Sequence, residues 1–211
     1  MLSAALLLAA MSAQAGPVTI FSNLGSGYTT GYGGLSSGAN GFTPSGTYVL
    51  DQIDLAIYLF SGPSSVDVAL TSDSGGAPGA PLMSWVLSPL PGQPVSSIDN
   101  PSCCVVSTLT PATSLTPGAS ITLDAGTPYW LQVSQGSETT VFVWLGNKIG
   151  ETGPVWLQAP GMGTSSGIYP QGAFDVLGEN PIPEPASGLL VASAAVLLAV
   201  SLRRRRAKTG D

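Results

Sequence analysis

The residues able to do chemistry in this chain are few, and their types narrow what that chemistry is. Histidine is absent from all 211 residues. That removes imidazole acid–base work, His-containing triads and His metal ligands together. Cys103 and Cys104 are the two cysteines, too few for a Cys-rich zinc site. Adjacent Cα atoms sit about 3.8 Å apart, whereas an ordinary disulfide prefers about 5.5 Å. A bridge between them is therefore vicinal, strained and redox-labile; free thiols and bonding to another chain are the alternatives. Glu138, Glu151 and Glu179 are available for paired-carboxylate glycoside hydrolysis. None sits in a local motif with a second acid, so no catalytic residue is assigned. Asp73-Ser74-Gly75-Gly76 offers oxygen ligands of the calcium type but lacks the third acid and the bidentate Glu. A tight turn accounts for it, with Asp73 accepting from backbone N–H groups and the glycines at positive φ. No metal and no cofactor is expected.

The four tryptophans, Trp85, Trp130, Trp144 and Trp156, raise a different chemistry. Sugar faces stack on exposed indoles. Burial is the expectation for most of the four. Trp130 and Trp144 lie on strand faces opposite the aliphatic residues, which makes them the candidates for exposure and for glycan contact.

Charge is scarce and unevenly placed. Only 9% of residues are charged, against about 25% in ordinary soluble domains. Every base except Lys148 lies in the C-terminal tail, and residues 16–182 hold ten acids against that one lysine, a net charge of −9. Such a surface repels phosphate backbones, so no nucleic acid is expected as a partner.

The elements that must position these residues are strands. Gly and Pro number 27 and 18, too many for a helical bundle. Ile53, Leu55, Ile57 and Leu59 share one parity; Val66, Val68 and Leu70 alternate with Asp67, Ala69 and Thr71. Ser61-Gly62-Pro63-Ser64-Ser65 reads as a hairpin loop between these two windows. Ile121 and Leu123 alternate with Thr122 and Asp124, and Tyr129, Leu131 and Val133 with Trp130, Gln132 and Ser134. Val141, Val143 and Leu145 form a further apolar parity opposite Phe142 and Trp144, and Phe174 and Val176 close the series. No amphipathic helix falls between them. The pattern predicts an all-β ectodomain over residues 16–176, an antiparallel β-sandwich of jelly-roll type.

Both ends differ from the middle. Leu2 to Met11 is apolar, and Ala13-Gln14-Ala15 is the small-x-small pattern of a signal-peptidase site, so residues 1–15 read as a signal peptide cut after Ala15. No Lys or Arg precedes the apolar stretch. Residues 177–182 read as a linker. Ala186 to Leu202 is uncharged and apolar all round. As a helix it is roughly 26 Å long, at the short end for a hydrocarbon core of about 30 Å, and arginine stems at its inner end lengthen the span by snorkelling. Arg203, Arg204, Arg205 and Arg206 follow it at once and by the positive-inside rule face the cytoplasm. The topology places residues 16–182 outside and residues 203–211 inside.

Pro183-Glu184-Pro185, the apolar segment 186–202 and the basic tail 203–211 together resemble a PEP-CTERM sorting signal over residues 183–211. The resemblance implies exosortase, an integral-membrane cysteine transpeptidase-like enzyme, as the partner that recognises and removes the tail. It also implies a Gram-negative host that makes exopolysaccharide and biofilm matrix. Three stretches of the middle are similar to the "choice-of-anchor" β domains, type R in particular: FTPSGTYVLDQI from Phe42 to Ile53, LTSDSGGAPG from Leu70 to Gly79, and LDAGTPYWL from Leu123 to Leu131. That family implies no catalytic residues.

These readings converge on an exported, non-catalytic surface or extracellular-matrix protein. Signal peptidase and exosortase are its processing partners. It passes through a single-pass inner-membrane intermediate to the cell surface or matrix. The alternative is a carbohydrate-binding, lectin-like module holding exopolysaccharide; a secreted hydrolase comes third.

Overall fold

Period-two patterning turns the middle of the chain into successive strands. The computed structural model describes residues 16–25, 28–92 and 106–181. Within them run β1 (Val18–Ser22), β2 (Tyr28–Gly33), β3 (Ser37–Phe42), β4 (Tyr48–Ser61), β5 (Val66–Asp73), β6 (Pro78–Leu87) and β7 (Val106–Leu109). A single 3-10 turn, Pro111–Thr113, follows, then β8 (Thr122–Leu123), β9 (Tyr129–Gln135), β10 (Val141–Asn147), β11 (Thr152–Ala159), β12 (Gly163–Pro170) and β13 (Phe174–Glu179). The signal-peptide residues Ala13 and Ala15, Cys103 and Cys104, and the whole of 183–211 with Pro183, Glu184, Pro185 and Arg203–Arg206 lie outside the described residues. Among the described residues no helix is long and apolar enough to cross a membrane.

The strands form two antiparallel sheets. One runs β1-β13-β4-β10-β2, with β7 and β8 also pairing with β4; the other runs β12-β11-β3-β9-β5-β6. β4 is the spine of the first sheet, fourteen residues long. Its Ile53, Leu55 and Ile57 are fully buried on one face, and Ala56 and Tyr58 are buried on the other. The first face meets Val66, Val68, Leu70, Leu131 and Val133 of the opposite sheet in one continuous core. Ala56 and Tyr58 join Tyr28, Leu145 and Ala173 in a smaller cluster behind the sheet. A core drawn from facing strands of both sheets makes the arrangement a β-sandwich, as the alternation predicts. Each such fully buried aliphatic side chain contributes about 1.5–3 kcal/mol relative to exposure.

Three expectations need correction. The loop Ser61–Ser65 is not a hairpin: β4 belongs to one sheet and β5 to the other, where β5 pairs with β6 and β9. The loop carries the chain across the sandwich, and Thr140 Oγ1 anchors it by donating to the Pro63 carbonyl at 3.2 Å. Second, β10 faces the other way. Phe142 and Trp144 point into the main core, whereas Val141 and Val143 are half-buried and Leu145 packs in the rear cluster. Both parities of β10 are apolar, so period two selects neither face, and the larger rings bury more area in the main core. Third, β13 continues to Glu179, so the last strand runs into the segment read as linker.

The link between β12 and β13, Gln171 to Ala173, is held by buried amides from three separate places. Asn23 donates to the Gly172 carbonyl at 3.1 Å and accepts from the Phe174 N–H at 2.7 Å. Asn40 on β3 accepts from the Gly172 N–H at 3.0 Å. Asn147 at the end of β10 donates to the Gln171 carbonyl at 2.8 Å. All three side chains are buried, and these bonds satisfy the backbone groups of an irregular interior segment.

Candidate functional site

One end of the sandwich gathers the ends of β1, β3, β5, β9 and β11 and the β12–β13 link around a cleft of about 460 Å³. Its walls are largely apolar: Phe21, Phe42, Pro128, Tyr129, Trp130 and Pro154. Phe42 continues this wall into the core, with ring centroids 5.9 Å from Phe21 and 6.0 Å from Tyr129. Asp73, Glu151, Gln171, Thr43 and Thr152 supply the polar groups. An apolar concavity with a few convergent polar side chains is the usual form of a ligand site.

Asp73 reaches the cleft because of strand register. β5 pairs with β9 so that Thr71 stands opposite Trp130; Asp73, two residues further, meets the indole N–H, which donates to Oδ1 at 2.8 Å. The turn that follows supplies a second donor. Gly75 and Gly76 take positive φ, 66° and 84°, and the Gly76 N–H points at both carboxylate oxygens at 3.2 Å. The tight-turn expectation for Asp73-Ser74-Gly75-Gly76 holds. The Trp130 hydrogen bond, followed by the Gly76 N–H, holds the Asp73 carboxyl below the usual carboxylate range.

A further part of the lining is set by the turn between β10 and β11. The Asn147 side chain accepts from the Glu151 N–H at 2.8 Å and donates to the Glu151 carbonyl at 2.8 Å. The Glu151 backbone is thereby pinned, and its exposed carboxylate stays at the cleft. Gln171 closes the floor. It is 1% exposed, its N–H donates to the Glu151 carbonyl at 3.1 Å, and its Nε2 donates to the Gly41 carbonyl at 2.6 Å. Glycine at 153 leaves the space this amide fills: a Cβ there would lie 2.6 Å from Gln171 Nε2. Gly41 does the same for the wall, since a Cβ there would stand 3.0 Å from Pro154 Cβ and 3.5 Å from Trp130 Cδ2.

The expected exposure of Trp130 and Trp144 is overturned. Trp130 is 2% exposed and Trp144 is 1% exposed. Trp130 does lie on the face opposite Leu131, but its ring settles over the bare backbone of Gly41 and its N–H is spent on Asp73. Trp144 packs edge-on against Phe174 at 5.9 Å, and its N–H donates to the Ala173 carbonyl at 3.2 Å. Neither offers an open ring face, although Trp130 still contributes to the cleft wall.

Of the three glutamates, only Glu151 lines the cleft; Glu138 lies in the β9–β10 loop and Glu179 at the end of β13. Among the described residues no three His, Cys, Asp or Glu side chains gather to hold a metal ion. Sequence reasoning missed Gln171, Gly41 and Gly153. A glycine inside a strand is the one available sign, because it marks a close approach of another group. Comparison with known proteins returns no matching family model and no similar curated protein.

Proposed function

We propose that this chain is an exported surface or extracellular-matrix protein, sorted and processed by exosortase. One observation carries the reading: Pro183-Glu184-Pro185, the apolar segment 186–202 and Arg203–Arg206 occur in that order at that spacing. An apolar helix holds its substrate in the bilayer beside an integral-membrane enzyme and raises the effective concentration. The two prolines keep the cleavage region extended, and Glu184 offers a fixed negative charge that a cationic pocket can read. Ala13 and Ala15 place the signal-peptidase cut that starts export. The cargo is the turn-rich, charge-poor sandwich, with the jelly-roll-like connectivity of a choice-of-anchor domain. No catalytic role is assigned to it.

The experiment is a pair of variants in the native host, Glu184→Ala and deletion of Arg203–Arg206. Each is expected to leave an unprocessed, membrane-retained form. Variants equal to wild type in size and distribution overturn the reading.

The cleft favours a second reading, in which the sandwich is a carbohydrate-binding module for exopolysaccharide. Apolar walls suit the C–H faces of a sugar ring, and the carboxylates at the rim and the amide at the floor suit its hydroxyls. The contact residues in this reading are those of the cleft, with Trp130 as part of the wall and Trp144 excluded by burial.

A further inference from the structure

The charge of the cleft is one-sided, while Thr43 and Thr152 add hydroxyls that both donate and accept. The Gly41 carbonyl can only accept, so the Gln171 amide must turn its Nε2 toward it. That orientation leaves Gln171 Oε1, an acceptor, as the other end of an amide that lines the cleft. Asp73 is fixed by Trp130 and Gly76, and an ionised carboxylate has about four acceptor positions, so capacity remains. Glu151 presents a second carboxylate. No Lys or Arg lines the cleft; Lys148, three residues before Glu151, is exposed and stands outside it. The site therefore offers acceptors and negative charge on apolar walls, and calls for a ligand rich in donors that carries no negative charge.

Building on the carbohydrate-binding reading, we propose that this cleft binds an amino sugar with a free ammonium group, as in a de-N-acetylated hexosamine polymer. Ammonium groups along the oligomer make charge-assisted hydrogen bonds to Asp73 and to Glu151, ring hydroxyls meet the Gln171 amide at the floor, and a C–H face lies against exposed Pro154. A uronate or phosphate-bearing glycan is repelled by both carboxylates and by the excess of acids over bases in residues 16–182, ten against one.

The test is calorimetric titration of the full chain in detergent micelles with four tetrasaccharides: β-1,4-glucosamine, its N-acetylated counterpart, a neutral glucan and an oligouronate. The glucosamine oligomer is expected to bind at least tenfold more tightly than the acetylated and neutral ones, and the oligouronate not at all. Asp73→Asn with Glu151→Gln should erase that advantage. Both changes keep an acceptor oxygen, so Asp73→Asn retains the Trp130 bond. Asp67→Asn with Glu138→Gln removes equal charge elsewhere and should keep the advantage. Glu151→Gln alone, at an exposed side chain, should cut glucosamine affinity several-fold even where the double variant is unstable. Equal binding of glucosamine and neutral oligomers overturns the amino-sugar assignment while leaving carbohydrate binding standing. An advantage that survives in the cleft variants, or falls equally in the control pair, overturns the site. Absence of binding to all four oligomers overturns both readings.

Discussion

The indole N–H of Trp130 donates to the Asp73 carboxylate at 2.8 Å, joining the end of β5 to the start of β9. The bond explains two things. It satisfies the polar edge of a ring that is otherwise buried on the outward side of its strand, and it fixes an ionised carboxylate at the mouth of the cleft.

It also has a pH signature. The folded-state pKa of Asp73 is depressed, chiefly by Trp130 and then by Gly76. A depressed carboxyl contributes stability that is present above its unfolded pKa and is lost as pH falls through its folded pKa. Asp73→Asn should therefore be less stable than wild type at pH 7, and the gap should close as pH falls below the ordinary carboxylate range. Urea unfolding of both proteins from pH 7 to pH 2 reads this directly; a gap that widens toward acid contradicts it.

Thr71, opposite Trp130, is 1% exposed, and its Oγ1 has no hydrogen-bond partner among the described residues. A buried unpaired hydroxyl costs about 1–3 kcal/mol. Thr71→Val keeps the shape and removes the hydroxyl, so it is expected to stabilise the fold by about 1 kcal/mol. Denaturant midpoints check it, and a loss of stability of that size argues against the unpaired hydroxyl.

Asn23 holds two backbone groups of the β12–β13 link, the Gly172 carbonyl and the Phe174 N–H. Asn23→Ala strands both inside the protein. The expected loss is about 2–5 kcal/mol, from two buried groups left unsatisfied. Hydrogen exchange should show the Phe174 amide losing protection earlier than amides in the centre of β4.

Much of the sandwich was legible because some strands alternate cleanly. Val66, Val68 and Leu70 against Asp67 leave one way to face the core. β10 was not legible, because Val141, Val143 and Leu145 compete with Phe142 and Trp144 and only three-dimensional packing decides between two greasy faces. The Gly62-Pro63 loop signals a turn but not which sheet the next strand joins. The Asp73 turn was readable, since its donor lies three residues away at Gly76. The cleft was not, since Gly41, Asp73, Trp130, Glu151 and Gln171 meet only through strand pairing.

Gly153 tests the floor of that cleft. Gly153→Ala puts a methyl 2.6 Å from Gln171 Nε2, which must leave the Gly41 carbonyl or push β11 outward. The expected cost is about 1–3 kcal/mol, as for overpacking, together with weaker sugar binding. Unchanged stability and binding would contradict the close fit of Gln171 against Gly153.

Export and tail removal form the central claim, and the intact mass of wild-type protein recovered from its host by cell fraction tests it most directly. The account predicts a surface or extracellular species that begins after Ala15 and lacks the segment from 186 onward. A full-length chain of 211 residues recovered from the cytosol would contradict it.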